Sequence, residues 1–221
     1  MSVQTLDIGE PFFTLRLLGD EISYKVDDKS IVVNLSTTPI RILDQSLESL
    51  QSVVLHNVVM EHIDHAAIIE RFADHADEAA LLKRIRQSWP SAYEKRGEER
   101  LKGIEHYMSP KQWVGQYGFT FYHSASVPLN VGLHRDHAFC PVPGFREIHT
   151  QIVGFGKMQQ CRQKDVATLY LEEPMAPGQT HRPMYDGQGK FPWHQFETIT
   201  PSVILAVEML PYGASPPSAQ V

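Results

Sequence analysis

Residues 146–161 read REIHTQIVGFGKMQQC, and this stretch favours a β-rich fold. Within it, Glu147, His149 and Gln151 alternate with apolar or β-branched residues. Successive side chains of a strand point to opposite faces, so one face of this strand presents a carboxylate, an imidazole and an amide in a row. Burying such a face is costly unless a metal or a polar ligand satisfies it. The stretch therefore predicts a strand that carries a functional site.

The segments around this strand read as further strands. They are rich in β-branched and aromatic residues, and Gly and Pro turn signals separate them. The segments are GQYGFTFYHSASVPLNVGLH at 115–134, ATLYLEEPMAPG at 167–178 and HQFETITPSVILAVEML at 194–210. This many strands in succession predict an antiparallel β-barrel, or jelly roll, in which closure removes exposed strand edges.

The N-terminal half changes pattern along its length. Three short β-type runs between residues 10 and 35 predict a small antiparallel meander, with a turn at Gly19-Asp20. From about 43 to 106, apolar residues recur at three- and four-residue spacings, which predicts helix as far as a break at Pro90. The fold class expected is mainly β with an N-terminal helical segment. The expected domains are 1–110, strands plus helices packing on the barrel; 111–210, the metal-binding barrel; and 211–221, a flexible tail.

Composition excludes several classes of function. The chain has 221 residues, 42% of them hydrophobic, and a net charge of −6 without a basic run, which argues against nucleic acid and anionic membranes as partners. No apolar run approaches the roughly 18 to 20 residues of a membrane-spanning helix, and no N-terminal apolar signal is seen. We expect a soluble, cytoplasmic protein whose Cys140 and Cys161 are reduced thiols.

A second polar cluster lies in NVGLHRDHAF at 130–139, after an apolar strand. A regular strand would point His134 and Asp136 to the same face, whereas a bulge would bring His137 round instead. Further along, His194 opens the last long apolar strand, which favours it as a ligand. His181 follows a Pro-Gly turn and is expected to line the mouth of the site.

These residues resemble the two motifs of the cupin superfamily. The first motif is a glycine, then HxH, then a glutamate followed by six residues and a glycine. Here Gly132 precedes His134, and Glu147 is followed by six residues and Gly154.

The second cupin motif is PxGxxH at the opening of a strand. Pro192-Trp193-His194 resembles it by position, and Gly178 to His181 matches its GxxH part. The resemblance covers less than half of the chain, from about residue 111 to 210.

The resemblance implies one divalent metal ion held by His134, His137 or His149, Glu147 and His194. Imidazole and carboxylate ligands suit Fe, Zn, Mn, Ni or Cu, and the ligand types alone do not separate these metals.

The catalytic residues expected beside the metal are Glu147 as ligand or general base, Gln151 as a substrate contact, and His181. Arg135, Arg146 and Arg182 are further candidates for a carboxylate contact.

The function expected is a metal-dependent cupin enzyme acting on a small polar metabolite, of dioxygenase, isomerase or lyase type. One alternative is a 2-oxoglutarate and Fe(II) oxygenase that uses His134, Asp136 and His194 as HxD…H, although no Arg or Lys lies between His194 and Met209. Two further alternatives are the cupin component of hydrazine synthesis, which forms N–N bonds, and a non-catalytic cupin that binds small ligands. Pairing of N-terminal edge strands predicts a homodimer.

Overall fold

β-Strands make up most of the regular structure in this computed structural model, which describes residues 2–75, 78–135, 137, 142–184 and 191–217. The strands before the helices are β1 (Ser2–Leu6), β2 (Thr14–Val26), β3 (Ser30–Asn34), β4 (Ile40–Ile42), β5 (Gln45–Leu47), β6 (Ser52–Leu55) and β7 (Val58–Glu70). The helices are α1 (Glu78–Ser88) and α2 (Ala92–Arg96). The remaining strands are β8 (His106–Met108), β9 (Gln112–Val114), β10 (Tyr117–Ser124), β11 (Arg146–Val153), β12 (Gly156–Cys161), β13 (Leu169–Met175), β14 (Trp193–Thr198) and β15 (Ser202–Met209). Short 3-10 turns occupy Asp7–Gly9, Glu99–Leu101 and Val166–Thr168.

The helix predicted from residue 43 is wrong as far as residue 70, because the chain there forms β4 to β7. The β-branched runs of β6 and β7 flank Asn57, whose φ of 49° turns the chain between them. The three- and four-residue spacing of apolar residues thus arises from separate strands and not from one helix face. Helix begins only at α1, where Leu81, Leu82 and Ile85 are buried.

The predicted meander is also different from the observed arrangement. Its first two runs form the single strand β2, whose register with β7 stays constant through the expected turn, with Gly19 opposite His65 and Glu21 opposite Ile63. Asp20 adopts a φ of 55°, a left-handed conformation that Asp tolerates, without interrupting this pairing. β2 and β3 are not neighbours, because β7 lies between them.

The strands form three antiparallel sheets. The seven-stranded sheet has the order β1-β2-β7-β3-β6, with β4 on β7 and β5 on β4. The five-stranded sheet has the order β11-β15-β10-β8, with β9 on β10, and the three-stranded sheet has the order β13-β12-β14. Among the described residues, the strand pairing does not show these sheets closed into the barrel expected from the sequence.

The five-stranded sheet is the central layer, because both of its faces are buried. Phe121 of β10 and Leu205 of β15 pack with apolar residues of the seven-stranded sheet. Tyr122 follows Phe121 and Ile204 precedes Leu205 in the chain. Both therefore lie on the other face, where they pack with Met158 of the three-stranded sheet. The period of two in each strand therefore supplies two cores at once.

Several other sequence expectations meet the structure here. The described residues contain no helix with the length and apolarity needed to cross a bilayer. Cys161 is buried and free, and Cys140 lies outside the described residues. Residues 211–217 follow β15 without helix or strand, and the rest of the expected tail lies outside the described residues. β1 lies at one edge of the seven-stranded sheet, and the homodimer stays a prediction.

Candidate metal centre

A cavity of about 60 Å³ lies between the five-stranded and three-stranded sheets. Tyr122 and Ile204 line it from one sheet, and Met158 and Phe196 line it from the other. This volume corresponds to roughly four to six water molecules. All the residues predicted as metal ligands line the same cavity, namely His134, His137, Glu147, His149 and His194.

Backbone pairing brings two of these histidines together although they are far apart in sequence. The backbone N–H of His134 donates to the carbonyl of His194 at 3.0 Å, and the N–H of His194 donates back at 2.9 Å. This bridge joins the loop after β10 to the edge strand β14. The two imidazole rings lie with their centroids 4.3 Å apart as a result.

His137 completes a group of three. The nitrogen atoms that His134, His137 and His194 offer all lie within 4.8 Å of one another. Of the two arrangements left open by the sequence, the structure thus brings His137 to the site. Asp136, which the HxD…H alternative requires, lies outside the described residues.

Hydrogen bonds indicate which ring nitrogen each histidine offers. Nδ1 of His134 lies 3.0 Å from the carbonyl oxygen of Gly132, and Nδ1 of His194 lies 2.9 Å from that of Pro192. A carbonyl only accepts, so each Nδ1 carries the proton and each Nε2 keeps a lone pair. For His137, Nδ1 lies 3.3 Å from Oε2 of Glu147.

The lone pairs that face the cavity have little else to bind. Nε2 of His137 and Nε2 of His194 are buried and have no hydrogen-bond partner among the described residues. An orphaned buried acceptor is unusual, and two beside a third imidazole form a set that suits a divalent metal. The residues present therefore fit a three-histidine centre, in which each ring is anchored through its other nitrogen.

Burial keeps these histidines in the form that binds metal. It lowers the pKa of His134 to about 2 and that of His194 to about 4, with smaller effects from neighbouring charges. The pKa of His137 is also lowered, chiefly by burial, although Glu147 opposes the shift. All three rings are consequently neutral at pH 7, and binding a metal requires no loss of a proton.

Glu147 lies beside the group of three histidines. Its Oε2 faces His137, and its Oε1 lies 3.5 Å from Nε2 of His149. Burial opposes ionisation of this carboxyl, but His149 and His137 outweigh burial and hold its pKa well below the usual value. An ionised carboxylate behind a ligand imidazole fixes the ring's tautomer and orientation, so this position favours an orienting role for Glu147 over direct coordination.

The structure does not bring His181 and Gln151 to the cavity wall. Both ring nitrogens of His181 are satisfied, because Nδ1 lies 2.6 Å from the carbonyl oxygen of Arg182 and Nε2 accepts the backbone N–H of His149 at 2.9 Å. Burial lowers the pKa of His181 to about 3, so it is neutral in this position. The side-chain amide of Gln151 donates to the carbonyl of Val153 at 2.8 Å.

Two of the candidate carboxylate contacts, Arg182 and Arg135, also lie elsewhere. Arg182 forms an ion pair with Glu173 at 2.8 Å, and its side chain is 65% exposed. The guanidinium of Arg135 lies over the ring of Trp193, 5.2 Å from its centroid.

Sequence reasoning missed three polar residues of the cavity, namely Arg96, Arg100 and His106. Arg96 and Arg100 come from the short helical segment before β8, and His106 is the first residue of β8. The side chain of Ser91 caps α2 by accepting from the N–H of Tyr93, and Gly97 ends the helix with a φ of 64°. The capping Ser91 and the terminal Gly97, with two arginines four residues apart, were a signal for this short helix in the sequence. The longer helix predicted for the region hid that signal.

No protein-family model matches this chain, and no curated protein matches it. Solved structures do match. A cupin 2 conserved barrel domain protein from Leptotrichia buccalis is similar over 94% of this chain and 88% of its own, with 10% identity and a TM-score of 0.34. A sugar phosphate isomerase of the cupin superfamily from Silicibacter pomeroyi is similar over 48% of this chain and 60% of its own, with 17% identity and a TM-score of 0.34. The chain is similar to cupins.

A third neighbour is salicylate 1,2-dioxygenase from Pseudoaminobacter salicylatoxidans, solved in complex with gentisate. It is similar over 89% of this chain and 68% of its own, with 7% identity and a TM-score of 0.39. With identities of 7% to 17% and TM-scores of 0.34 to 0.39, these neighbours do not indicate the chemistry of the site, which follows from its own side chains.

Proposed function

We propose that this chain is a metal-dependent enzyme of cupin-like fold that acts on a small polar molecule beside a three-histidine centre. The observation that carries the proposal is the convergence of three buried imidazoles, two of which have an orphaned Nε2. A divalent ion of Fe, Zn, Mn, Ni or Cu in this set would supply a Lewis acid or an oxygen-activating centre, as in dioxygenases, isomerases and lyases.

A fourth histidine shows why convergence matters more than an orphaned nitrogen by itself. His123 is fully buried, its Nδ1 lies 2.9 Å from the carbonyl oxygen of Ser202, and its Nε2 has no partner among the described residues. Its ring stacks on Tyr107, with centroids 5.9 Å apart, and it does not belong to the group of three. His123 therefore serves as a buried control in experiments on the centre.

The chain's own residues would prepare the site for substrate in three ways. The carbonyls of Gly132 and Pro192 hold two imidazoles in the tautomer that presents Nε2. Ionised Glu147 orients the third imidazole and is the one carboxylate that lines the cavity among the described residues. The volume of about 60 Å³ restricts the cavity to a small substrate and a few waters.

The test is elemental analysis of protein purified without a metal-affinity tag, before and after reconstitution with each metal. We expect about one equivalent of one divalent metal in the wild type and the His123→Ala variant, and none in a variant with His134, His137 and His194 all replaced by alanine. Equal metal content in all three proteins would refute the centre. Absence of metal from all of them, with small ligands still bound, would favour a non-catalytic binding protein instead.

A further inference from the structure

Two arginines and one glutamate form a charged cluster at the wall of the candidate metal cavity. Nη2 of Arg96 lies 2.5 Å from Oε1 of Glu98, and both Nε and Nη2 of Arg100 lie 2.6 Å from Oε2. The arginines line the cavity, whereas Glu98 does not. Their side chains are 13% and 27% exposed, so the cluster is mostly buried. Glu98 thus binds the guanidiniums from behind and leaves part of each facing the cavity.

Counting hydrogen-bond donors indicates what Arg100 has left to offer. A guanidinium has five N–H groups. The Nε–H and one N–H of Nη2 point to Glu98, and one N–H of Nη1 donates to the carbonyl of Val131 at 2.8 Å. One N–H on each terminal nitrogen remains, with no partner among the described residues. A guanidinium that keeps one N–H on each terminal nitrogen retains the donors that bind both oxygens of a carboxylate.

The charges around the cavity favour a negative ligand. Within the cluster, two guanidiniums share the single carboxylate of Glu98, so the cluster keeps one uncompensated positive charge. A cavity of about 60 Å³ limits the ligand to a few non-hydrogen atoms.

We propose that the substrate of this site is a small organic carboxylate, bound through its carboxylate group by the free N–H fork of Arg100 while the rest of the molecule faces the three histidines. That the bound carboxylate is a substrate rests on the proposed function. Its binding by Arg100 does not. Arg100 is the residue that selects an anion, and Glu98 positions it. Because Glu98 also neutralises part of the cluster's charge, it weakens attraction for a second carboxylate.

The test is calorimetric titration of the full chain with propionate, with the neutral isostere propionamide and with inorganic phosphate, with and without Co(II) loading. We expect propionate to bind more tightly than the other two probes. Arg100→Gln should weaken propionate binding about 10- to 100-fold, the range for a hydrogen-bonded charged pair, while Co(II) content stays unchanged. Arg41→Gln, a change at an arginine that is 61% exposed, should have no effect.

Two more variants distinguish loss of the carboxylate contact from damage to the fold. Arg100→Lys keeps the charge but loses the fork, so it should also weaken propionate binding. Glu98→Gln removes the competing charge and should tighten it, a gain that damage to the fold would not produce. Equal affinity for propionate and propionamide, preference for phosphate, or unchanged binding in Arg100→Gln and Arg100→Lys would overturn the inference. A second outcome separates the two proposals. If the wild-type chain binds no Co(II) but still binds propionate in an Arg100-dependent way, the proposed metal centre is refuted and the carboxylate site is retained.

Discussion

Replacing Glu147 with glutamine tests whether this carboxylate orients His137 or itself holds the metal. The structure puts Oε2 of Glu147 3.3 Å from Nδ1 of His137, on the side of the ring away from the orphaned Nε2. Glutamine keeps the size of the side chain but removes its charge. It thereby weakens the preference of His137 for the tautomer that presents Nε2.

The expected loss can be worked out from this arrangement. Removing the outer partner of a ligand imidazole typically lowers metal affinity by about 10- to 100-fold. At about 1.4 kcal/mol for each factor of ten, this corresponds to roughly 1.4 to 2.7 kcal/mol of binding free energy. Removal of a ligand itself, as in His194→Ala, should exceed this range.

The assay is competition between the metal-free protein and a chromophoric chelator of known Zn(II) affinity at pH 7. Glu208→Gln is the matched control, because Glu208 is a buried carboxylate opposite Glu147 on β15 and pairs with Lys111 at 2.5 Å. Its replacement should change stability but leave Zn(II) affinity within a few-fold of the wild type. Wild-type affinity in Glu147→Gln would refute the orienting role, and a loss as complete as in His194→Ala would make Glu147 a ligand.

Three other predictions concern the centre and the fold. His194→Ala should lose the metal, as measured by elemental analysis, whereas His123→Ala should keep it; equal retention would contradict the site. Burial, and to a smaller extent the charges of nearby arginines, lowers the pKa of His106 to about 3. Below pH 6.5 the unfolded chain therefore binds a proton at this histidine that the folded chain does not bind. The free energy of unfolding consequently falls as the pH falls. His106→Gln should therefore abolish a loss of roughly 2 to 3 kcal/mol between pH 6.5 and 4.5 in urea unfolding of metal-free protein, and an unchanged pH slope would disprove this origin. Gly154 has a φ of 74°, and a Cβ there would lie 2.1 Å from the carbonyl oxygen of Pro201, so Gly154→Ala should cost at least about 1 to 2 kcal/mol, a value that thermal unfolding can check.

Local patterns were enough to predict the strands that carry the site. The alternation of Glu147, His149 and Gln151 identified β11, because the period of two is a property of a single strand. Only two of these three side chains reach the cavity. The pairing of β11 with β15 shifts between Gln151 and Val153, and no local pattern indicated this irregularity.

Local patterns failed where strands that are distant in sequence decide the structure. β6 and β7 were read as helix because apolar spacing within one segment does not show which strands will pair with it. β7 pairs with β2 and β3, whose residues come more than thirty positions earlier. These pairings bury its apolar residues and override the helical spacing.

The sequence by itself determined the residue types of the centre and the strands that hold Glu147, His149 and His194. Only the tertiary structure decided that His137 joins His134 and His194, that Glu147 lies behind His137, and that Arg100 faces the same cavity. The physical reason is that donor chemistry is a property of each side chain, whereas convergence depends on the backbone bridge between residues 134 and 194 and on the packing of a helical segment against both sheets. Such long-range contacts leave no periodic pattern in the sequence.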